Sequence, residues 1–303
     1  MSVYHETVLL TEAVDGLDIK PDGIYVDVTF GSGGHSKQIL EKLEKGKGRL
    51  FAFDQDGDAK ANLFEDERLE FIPQNFRYLK QYLRLLGVRK IDGLLGDLGV
   101  SWHQFNTTER GFSFRFGESE LDMRMDGNTD VTAQHVLNTY SKQKLFDTFK
   151  LYGELPNALR LAEAIVSARQ LSKIKTVGQL LTVSDSYVRG KRNKFYAQLF
   201  QALRIEVNGE MEALKELLLQ STEILNPEGR LVIISYHSLE DRLVKNYIKC
   251  GNFEGVKETD IYGNSEKPLN AINRKVIVPS PNEIRNNPKS RSAKMRIAEK
   301  IAL

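Results

Sequence analysis

Residues 23–45 read GIYVDVTFGSGGHSKQILEKLEK and hold a strand, a turn and a helix in one short segment. The run 23–30 is apolar, β-branched and aromatic, which is typical of a buried strand. Residues 37–45 have the spacing of an amphipathic helix. The glycine-rich turn 31–36 between them lets the backbone turn tightly. This unit predicts the beginning of an α/β fold.

The same alternation continues on either side of a long irregular region. Residues 49–56 and 92–101 are strand-like runs, and 76–86 has the pattern of an amphipathic helix. Short links between alternating strands and helices favour a parallel, doubly wound sheet. The strand pattern resumes only at 229–238, after the turn Asn226-Pro227-Glu228-Gly229.

The region between these parts has no convincing strand pattern. Helical patterns lie near 143–152, 158–171 and 176–188. A βα domain interrupted by a helical insertion on the ligand side of the sheet is the simplest interpretation. The predicted domains are a first α/β part at 1–104, an inserted helical domain for substrate recognition at 105–195, and a second α/β part with a basic C-terminal segment at 196–303.

The C-terminal region ends in two strand-like runs, 275–280 and 292–300, with a turn-rich link between them. We expect them to form an antiparallel pair at the end of the sheet. A Rossmann dehydrogenase usually lacks such a pair, whereas methyltransferase sheets usually carry one.

Composition narrows the class of protein. The chain has 303 residues, of which 41% are hydrophobic and 28% charged, as in ordinary globular proteins. The single cysteine, Cys250, excludes an intramolecular disulfide and a multi-cysteine zinc site. The five histidines are scattered without ligand spacing, so we expect no metal. There is no signal-peptide pattern and no apolar run of about 18 residues, so we expect a cytoplasmic protein without a membrane partner.

The distribution of charge indicates a partner, although the net charge is only +2. Four of the six residues in 189–194 are basic, and eight more cations lie between Pro268 and the C-terminus. Local basic patches of this kind can bind the phosphates of RNA. The alternative is that they are an ordinary solvated surface.

The glycine-rich turn and a later acid together indicate an adenosine-containing cofactor. Asp54 lies twenty positions after Gly34, at the end of the second predicted strand, where a carboxylate can accept hydrogen bonds from ribose hydroxyls. A simple strand-to-helix turn is the alternative. Ser36 replaces the third glycine of the dinucleotide fingerprint, which weakens an NAD interpretation, and no Gly-Lys-Ser/Thr follows, which excludes a P-loop. The C-terminal strand pair favours S-adenosylmethionine.

Motifs along nearly the whole chain resemble the bacterial 16S ribosomal RNA cytosine-N4 methyltransferase family. They are His5-Glu-Thr-Val-Leu-Leu, Tyr25-Val-Asp-Val-Thr-Phe-Gly-Ser-Gly-Gly-His-Ser, Asp97-Leu-Gly-Val-Ser, Arg110-Gly-Phe-Ser-Phe, Leu121-Asp-Met-Arg-Met-Asp, Tyr152-Gly-Glu, Phe200-Gln-Ala-Leu-Arg-Ile, Ile234-Ser-Tyr-His-Ser-Leu-Glu-Asp-Arg and Arg291-Ser-Ala-Lys-Met-Arg. The resemblance implies a Rossmann-like class I methyltransferase with an inserted helical domain. It also implies methylation of the exocyclic N4 amine of a decoding-centre cytosine, within the nearly assembled small ribosomal subunit and not on DNA.

The resemblance also implies cofactor-binding residues. Gly33, Gly34 and His35 match the loop that contacts the cofactor, Asp54 matches the ribose-binding acid, Phe76 lines the adenine side, and Asp97 and Gln104 match further contacts. Two departures from the family pattern, Trp102 and the stretch Phe195-Tyr-Ala-Gln, fall on the expected substrate side.

The chemistry of an N4 amine predicts where catalysis takes place. Its lone pair is delocalised into the ring, so it needs a methyl group held in line and an acceptor for an N–H proton. Asp97 ends the third predicted strand, where open α/β sheets place reacting groups, and could be that acceptor or a cofactor ligand. His237 and Ser238 could face the target base beside it. The alternative is that Ser238 and Asp241 form a helix capping box.

Other functions remain open from the residues alone. The main alternative is a methyltransferase that acts on a protein or a small molecule. An NAD-dependent oxidoreductase and a non-catalytic RNA-binding protein are the others, although the intact glycine turn and Asp54 oppose the last. A cytosine-C5 methyltransferase would need a cysteine nucleophile, and Cys250 is remote in sequence from every motif.

Overall fold

The computed structural model describes residues 7–100, 107–258 and 267–302, apart from the side chain of Glu109. The chain divides into two compact units, one made of Met1–Gly99 with Met211–Leu303 and the other of Val100–Glu210. The predicted insertion, 105–195, lies inside the range of the second unit. No helix within the described ranges is both long and apolar enough to cross a membrane.

The first unit is built on a seven-stranded sheet. Its strands are β1 (Ile24–Asp27), β2 (Arg49–Phe53), β3 (Leu69–Ile72), β4 (Ile91–Asp97), β5 (Leu225–Ser235), β6 (Leu269–Ala271) and β7 (Lys294–Lys300). The order across the sheet is β3-β2-β1-β4-β5-β7-β6. The first five strands in this order pair in parallel, and β7 is antiparallel to both β5 and β6. The predicted doubly wound, mostly parallel sheet is therefore confirmed.

Helices cover both faces of this sheet because successive apolar side chains of its strands point to opposite faces. The helices of the first unit are α1 (Leu10–Gly16), α2 (Gly34–Lys42), α3 (Leu79–Leu85), α9 (Glu210–Ile224), α10 (Ser238–Cys250) and α11 (Pro281–Asn286). On one face, α1 and α2 pack on a cluster that includes Tyr25 and Leu95. On the other face, α3, α9 and α10 pack on a cluster that includes Val26 and Leu94.

The antiparallel end of the sheet differs in detail from the prediction. The last strand, β7, was expected to pair with residues 275–280. Its partners are β5 and β6 instead, and 275–280 contributes a single bridge in which Ile277 and Met295 exchange two backbone hydrogen bonds of 3.0 and 2.8 Å. The β-branched residues of 275–280 caused the error, because among them only Ile277 bridges to the sheet and Val278 is largely exposed.

The predicted start of the last parallel strand is also wrong. The strand begins at Leu225, which pairs with Ile91, and the regular register resumes only at Gly93 and Arg230. The turn signal Asn226–Gly229 is therefore a bulge within the strand, with Glu228 at a φ of 65°. The side chain of Asn226 donates to Asp92 Oδ1 at 2.9 Å, which fixes this bulge to β4.

The second unit is helical in its described part. Its helices are α4 (Ala133–Thr139), α5 (Lys142–Leu151), α6 (Ala158–Leu171), α7 (Val177–Ser184) and α8 (Arg192–Asn208). Thr132, Ser141 and Thr176 cap α4, α5 and α7 with their hydroxyl oxygens. These helices enclose one apolar cluster of their own. Phe195 and Tyr196, part of the departure from the family pattern, are buried in this cluster.

Candidate cofactor and catalytic site

The glycine-rich turn joins β1 to α2, as the sequence predicts. Gly33 is the N-cap of α2 with a φ of 78°, a conformation that favours glycine. A Cβ at Gly33 would lie 3.0 Å from Phe30 Cζ, and a Cβ at Gly34 would overlap the Thr7 hydroxyl. These two glycines therefore make room for neighbouring side chains, a reason that the sequence alone did not reveal.

Gly31 differs from Gly33 and Gly34 because the space beside it is open. A Cβ there would meet only the Thr29 carbonyl oxygen, at 3.8 Å. Its N–H donates to Asp54 Oδ2 at 2.8 Å, and the N–H of Asp56 donates to Asp54 Oδ1 at 2.8 Å. Each carboxylate oxygen can accept a second hydrogen bond. The half-buried Asp54 therefore fits a ligand with neighbouring hydroxyl groups, such as the ribose of an adenosine.

Burial controls the charge of Asp54. It raises the pKa of this carboxyl to about 6, against the opposing effect of the two backbone donors from Asp56 and Gly31. At neutral pH the group is mostly ionised. An ionised carboxylate only accepts hydrogen bonds, which matches hydroxyl donors.

Beneath the turn lies a buried acid that the sequence analysis missed. Asp27, at the end of β1, is fully buried and accepts from Ser36 Oγ at 2.7 Å and from the Thr29 N–H at 3.0 Å. Burial raises the pKa of Asp27, and nearby His35 opposes this rise. A lone Asp within the apolar run YVDV was the available signal. Ser36, which stands where the dinucleotide fingerprint has its third glycine, satisfies this acid with its hydroxyl.

The remaining predicted cofactor contacts are His35, Phe76 and Gln104. His35 is buried in the first turn of α2, with Nε2 3.1 Å from the Val8 carbonyl oxygen. Phe76 begins a short 3-10 helix after β3 and is half-buried. The preceding Asn75 donates to Gln55 Oε1 at 2.6 Å, which joins the loops after β3 and β2. Gln104 and Trp102 lie outside the described residues.

Asp97 ends β4, as predicted, and is half-buried. Its N–H donates to Thr29 Oγ1 at 2.7 Å, and its Oδ1 accepts from the Tyr236 hydroxyl at 2.8 Å. No described residue donates to Oδ2. Burial raises the pKa of Asp97 to about 6, while His35 and the Tyr236 hydroxyl oppose the rise. This carboxylate therefore has one oxygen held by the protein and one available to a ligand.

The turn after β5 has a different cap from the one expected. His237 is the N-cap of α10, with Glu240 at the third helical position, so the expected Ser238–Asp241 box is wrong by one residue. The Glu240 N–H lies 3.4 Å from His237 Nδ1, and Glu240 Oε2 accepts from the His237 N–H at 3.3 Å. Ser238 is the first residue of the helix and is exposed.

Asp241 binds the C-terminal strand instead of serving the cap. It accepts from Arg296 Nε at 2.8 Å and from Arg296 Nη2 at 3.2 Å. Arg296 was one of the cations expected to contact RNA, and this two-point pairing neutralises it. Other cations of the C-terminal region are exposed: Arg274, Lys275, Arg285, Lys289 and Arg291.

The basic stretch 189–194 of the second unit is exposed throughout. Arg192 Nη2 lies 2.8 Å from Asp185 Oδ1. No acidic side chain among the described residues pairs with the other three cations, Arg189, Lys191 and Lys194.

Hydrogen bonds join several of the predicted residues at one edge of the sheet. Asp54 is bonded to the glycine turn through Gly31, and Asp97 is bonded to Thr29 of the same β1 end. Sequence reasoning missed Asp27, Thr29 and Tyr236, which connect or support these groups. Cys250 is buried at the end of α10, so its thiol is shielded from solvent.

Comparison with known proteins extends over almost the whole chain. The profile of the MraW methylase family matches residues 2–301. A protein named Ribosomal RNA small subunit methyltransferase H from Flavobacterium johnsoniae is 58% identical over 299 residues, which are 98% of this chain and 98% of that one. Proteins of the same name from Christiangramia forsetii and Parabacteroides distasonis are 55% and 54% identical, over 98% and 99% of this chain and 98% of each relative. The resemblance inferred from the motifs is confirmed, and the chain belongs to the MraW methylase family.

Proposed function

We propose that this protein transfers a methyl group from S-adenosylmethionine to the exocyclic N4 amine of a decoding-centre cytosine in 16S ribosomal RNA. Family membership confirms the prediction of a methyltransferase. The relatives' shared name supports ribosomal RNA of the small subunit as the substrate class. The base and the atom are our proposal, from the chemistry of the site and the motifs.

The cofactor would bind along the carboxyl edge of β1, β2 and β3. Asp54 would accept from the ribose hydroxyls, because each of its oxygens keeps one acceptor position. The open backbone at Gly31 supports a ligand here, and Gly33, Gly34 and His35 would shape the loop beside it. Phe76 would line the adenine side. We also retain Gln104 as a contact, on the resemblance alone.

The observation that supports amine methylation best is the two-sided environment of Asp97. Tyr236 holds Oδ1, and Oδ2 has no partner among the described residues. An amine attacking a methyl group must give up a proton as the new N–C bond forms, and a positioned carboxylate can accept it. The sulfonium cofactor supplies the methyl group. Asp97 would orient the N4 amine through Oδ2 and take its proton.

His237 and Ser238 are proposed to contact the target base. Tyr236, directly before them, is bonded to Asp97, so the turn after β5 reaches the proposed acceptor. Ser238 is exposed at the start of α10 and could meet an incoming base. The ring of His237 also serves the helix cap, so we expect it to support the turn as well as the base.

The exposed cations are proposed to bind RNA phosphates. They lie at 189–194 in the second unit and at Arg274, Lys275, Arg285 and Arg291 in the first. Neutralisation of phosphates by such side chains supplies affinity without reading sequence. The helical second unit would provide substrate recognition. We place the reaction in the cytoplasm, on a nearly assembled small subunit.

Mass spectrometry of 16S ribosomal RNA nucleosides from a deletion strain tests this function directly. We expect N4-methylcytidine to fall at one site in the deletion strain and to return with the wild-type gene. Mass spectrometry of methylated products in the total protein and metabolite fractions of the same strains tests the other substrate classes. An unchanged level of N4-methylcytidine in 16S RNA would refute the proposal.

A further inference from the structure

Tyr236 is a residue to which neither the motifs nor the family comparison gives a role. It lies between the end of β5 and the N-cap of α10, and it is half-buried. Its hydroxyl donates to Asp97 Oδ1 at 2.8 Å. The two residues are 139 positions apart in the chain, so the fold alone brings them together.

The position of Tyr236 is itself fixed by the helix cap. Its N–H donates to Glu240 Oε2 at 2.9 Å, and the same oxygen accepts from the His237 N–H. Glu240 is buried, so this anchor is shielded from water. The capping box therefore holds the backbone from which the phenol reaches Asp97.

We propose that Tyr236 is a positioning residue, which orients the Asp97 carboxylate so that Oδ2 faces the amine that is methylated. The backbone of Asp97 is already held by Thr29, but its carboxyl group could still rotate about the Cβ–Cγ bond. A donor on Oδ1 removes that freedom and leaves Oδ2 for substrate. This inference rests on the proposed role of Asp97 as the proton acceptor.

The electrostatics of the pair favour this arrangement. Burial and the neighbouring carboxylate of Asp97 raise the pKa of Tyr236 well above its ordinary value, so the phenol stays a neutral donor. The bond in turn favours the charged form of Asp97. The other ionisable groups that act on Asp97 are His35 of α2, Asp27 of β1 and Glu240 of α10. Loss of the Tyr236 donor should therefore raise the pKa of Asp97.

The first test measures that pKa without any substrate. Carbon-13 NMR titration of the full chain with labelled aspartate, with Asp97→Asn to assign the signal, compares wild type with Tyr236→Phe. We expect an upward shift of about one pKa unit, as for a lost hydrogen bond to a charged group. An unshifted Asp97 signal would overturn the inference.

The second test measures single-turnover methyl transfer at saturating S-adenosylmethionine on small subunits from the deletion strain. We expect Tyr236→Phe to lower the rate about tenfold near neutral pH and to move its acidic limb to higher pH, with partial recovery under alkaline conditions. Cofactor affinity by calorimetry should not change. A rate equal to that of the wild type at all pH values would refute the positioning role.

Tyr247→Phe is the matched control. Its hydroxyl is also buried and is 2.9 Å from Thr222 Oγ1, in the cluster on the face covered by α9 and α10. It loses the same atom without touching Asp97, so we expect no change in the Asp97 pKa or the pH profile. Equal effects of the two variants would assign Tyr236 to general stability.

The two tests separate this inference from the proposed function. A shifted pKa with an unchanged rate would mean that the contact exists but does not orient Asp97 for the reaction, which overturns the positioning role and leaves the proposed function standing. If wild-type enzyme does not methylate 16S RNA, the proposed function fails, and with it the positioning role. The NMR titration would then still report the contact itself.

Discussion

Asp54 and Asp97 are the same residue type at the same edge of one sheet, yet they are held in different ways. Burial raises the pKa of each to about 6. Both oxygens of Asp54 accept from backbone N–H groups, whereas only one oxygen of Asp97 is bonded, and to a side chain. The orientation of the Asp54 carboxylate is therefore fixed by the backbone, and that of the Asp97 carboxylate is fixed by the Tyr236 hydroxyl alone. A fully held carboxylate suits binding, and a half-held one suits proton transfer.

The largest expected effect comes from Asp97→Asn. The variant keeps an acceptor oxygen but loses the charge, so we expect turnover at saturating cofactor to fall by about 100-fold or more. Single-turnover kinetics measures this. If Asp97 only held the cofactor, the variant would instead bind S-adenosylmethionine more weakly and react at a near-normal rate at saturation.

The variant Asp54→Ala should weaken cofactor binding and leave the rate of methyl transfer unchanged. We expect S-adenosylmethionine affinity to fall by about 1–3 kcal/mol, roughly 5- to 150-fold, through the loss of charged hydrogen bonds. Calorimetry measures the affinity, and turnover at saturation should stay near normal. Equal affinity in variant and wild type would remove Asp54 from the cofactor site and end the comparison.

Gly33→Val should also weaken cofactor binding, at least as much as Asp54→Ala does. Valine disfavours the φ of 78° at this position, and its Cβ would press on Phe30. Gly46→Val is a matched control, because Gly46 has a φ of 82° and no atom within 4 Å of an added Cβ. Similar losses in both variants would indicate backbone strain alone.

The pH dependence should separate the two carboxylates further. Both pKa values lie above the ordinary Asp value, so each group gains a proton as the pH falls through about 6. Below that pH we expect turnover to fall up to about tenfold per unit, and cofactor affinity to fall as well. In Asp54→Asn the affinity should lose this dependence while turnover keeps it. A pH-independent wild type between 5 and 7 would contradict both assignments.

Variants of the exposed cations in 189–194 should have the smallest effect on cofactor binding and turnover, the two functions proposed for Asp54 and Asp97. Replacing Arg189, Lys191 and Lys194 by Gln should weaken RNA binding and make its salt dependence shallower, by about one unit of slope for each lost phosphate contact. Cofactor affinity and turnover at saturation should not change. An unaltered salt slope would mean that these charges are only solvated.

The sequence predicted the parts of the fold that are apolar and continuous. β1, β2 and β4 are buried runs, so their composition identified them. β3 escaped notice because Ile72 is its only buried residue. β6 is three residues long, and the run 275–280, which follows it closely, has a stronger β pattern. Edge strands bury too little to leave a strong pattern.

The sequence predicted those parts of the site whose residues lie in one local segment of the chain. The glycine turn and Asp54 are read from the spacing that follows a single strand. The bond between Tyr236 and Asp97 depends on the pairing of β4 with β5, which are separated by a whole helical unit in the chain. The spacing of residues cannot reveal such a contact.

The hydroxyl of Ser36 also restricts how this protein can evolve. Dinucleotide-binding turns place glycine at this position, yet here glycine would leave Oδ2 of the buried Asp27 carboxylate without its donor. A buried acceptor left without its partner costs about 1–3 kcal/mol, a large share of a domain's net stability. We therefore expect substitutions at positions 27 and 36 to be epistatic. A lineage that moved from this turn to the other nucleotide class would have to change both residues together, or pass through a destabilised ancestor.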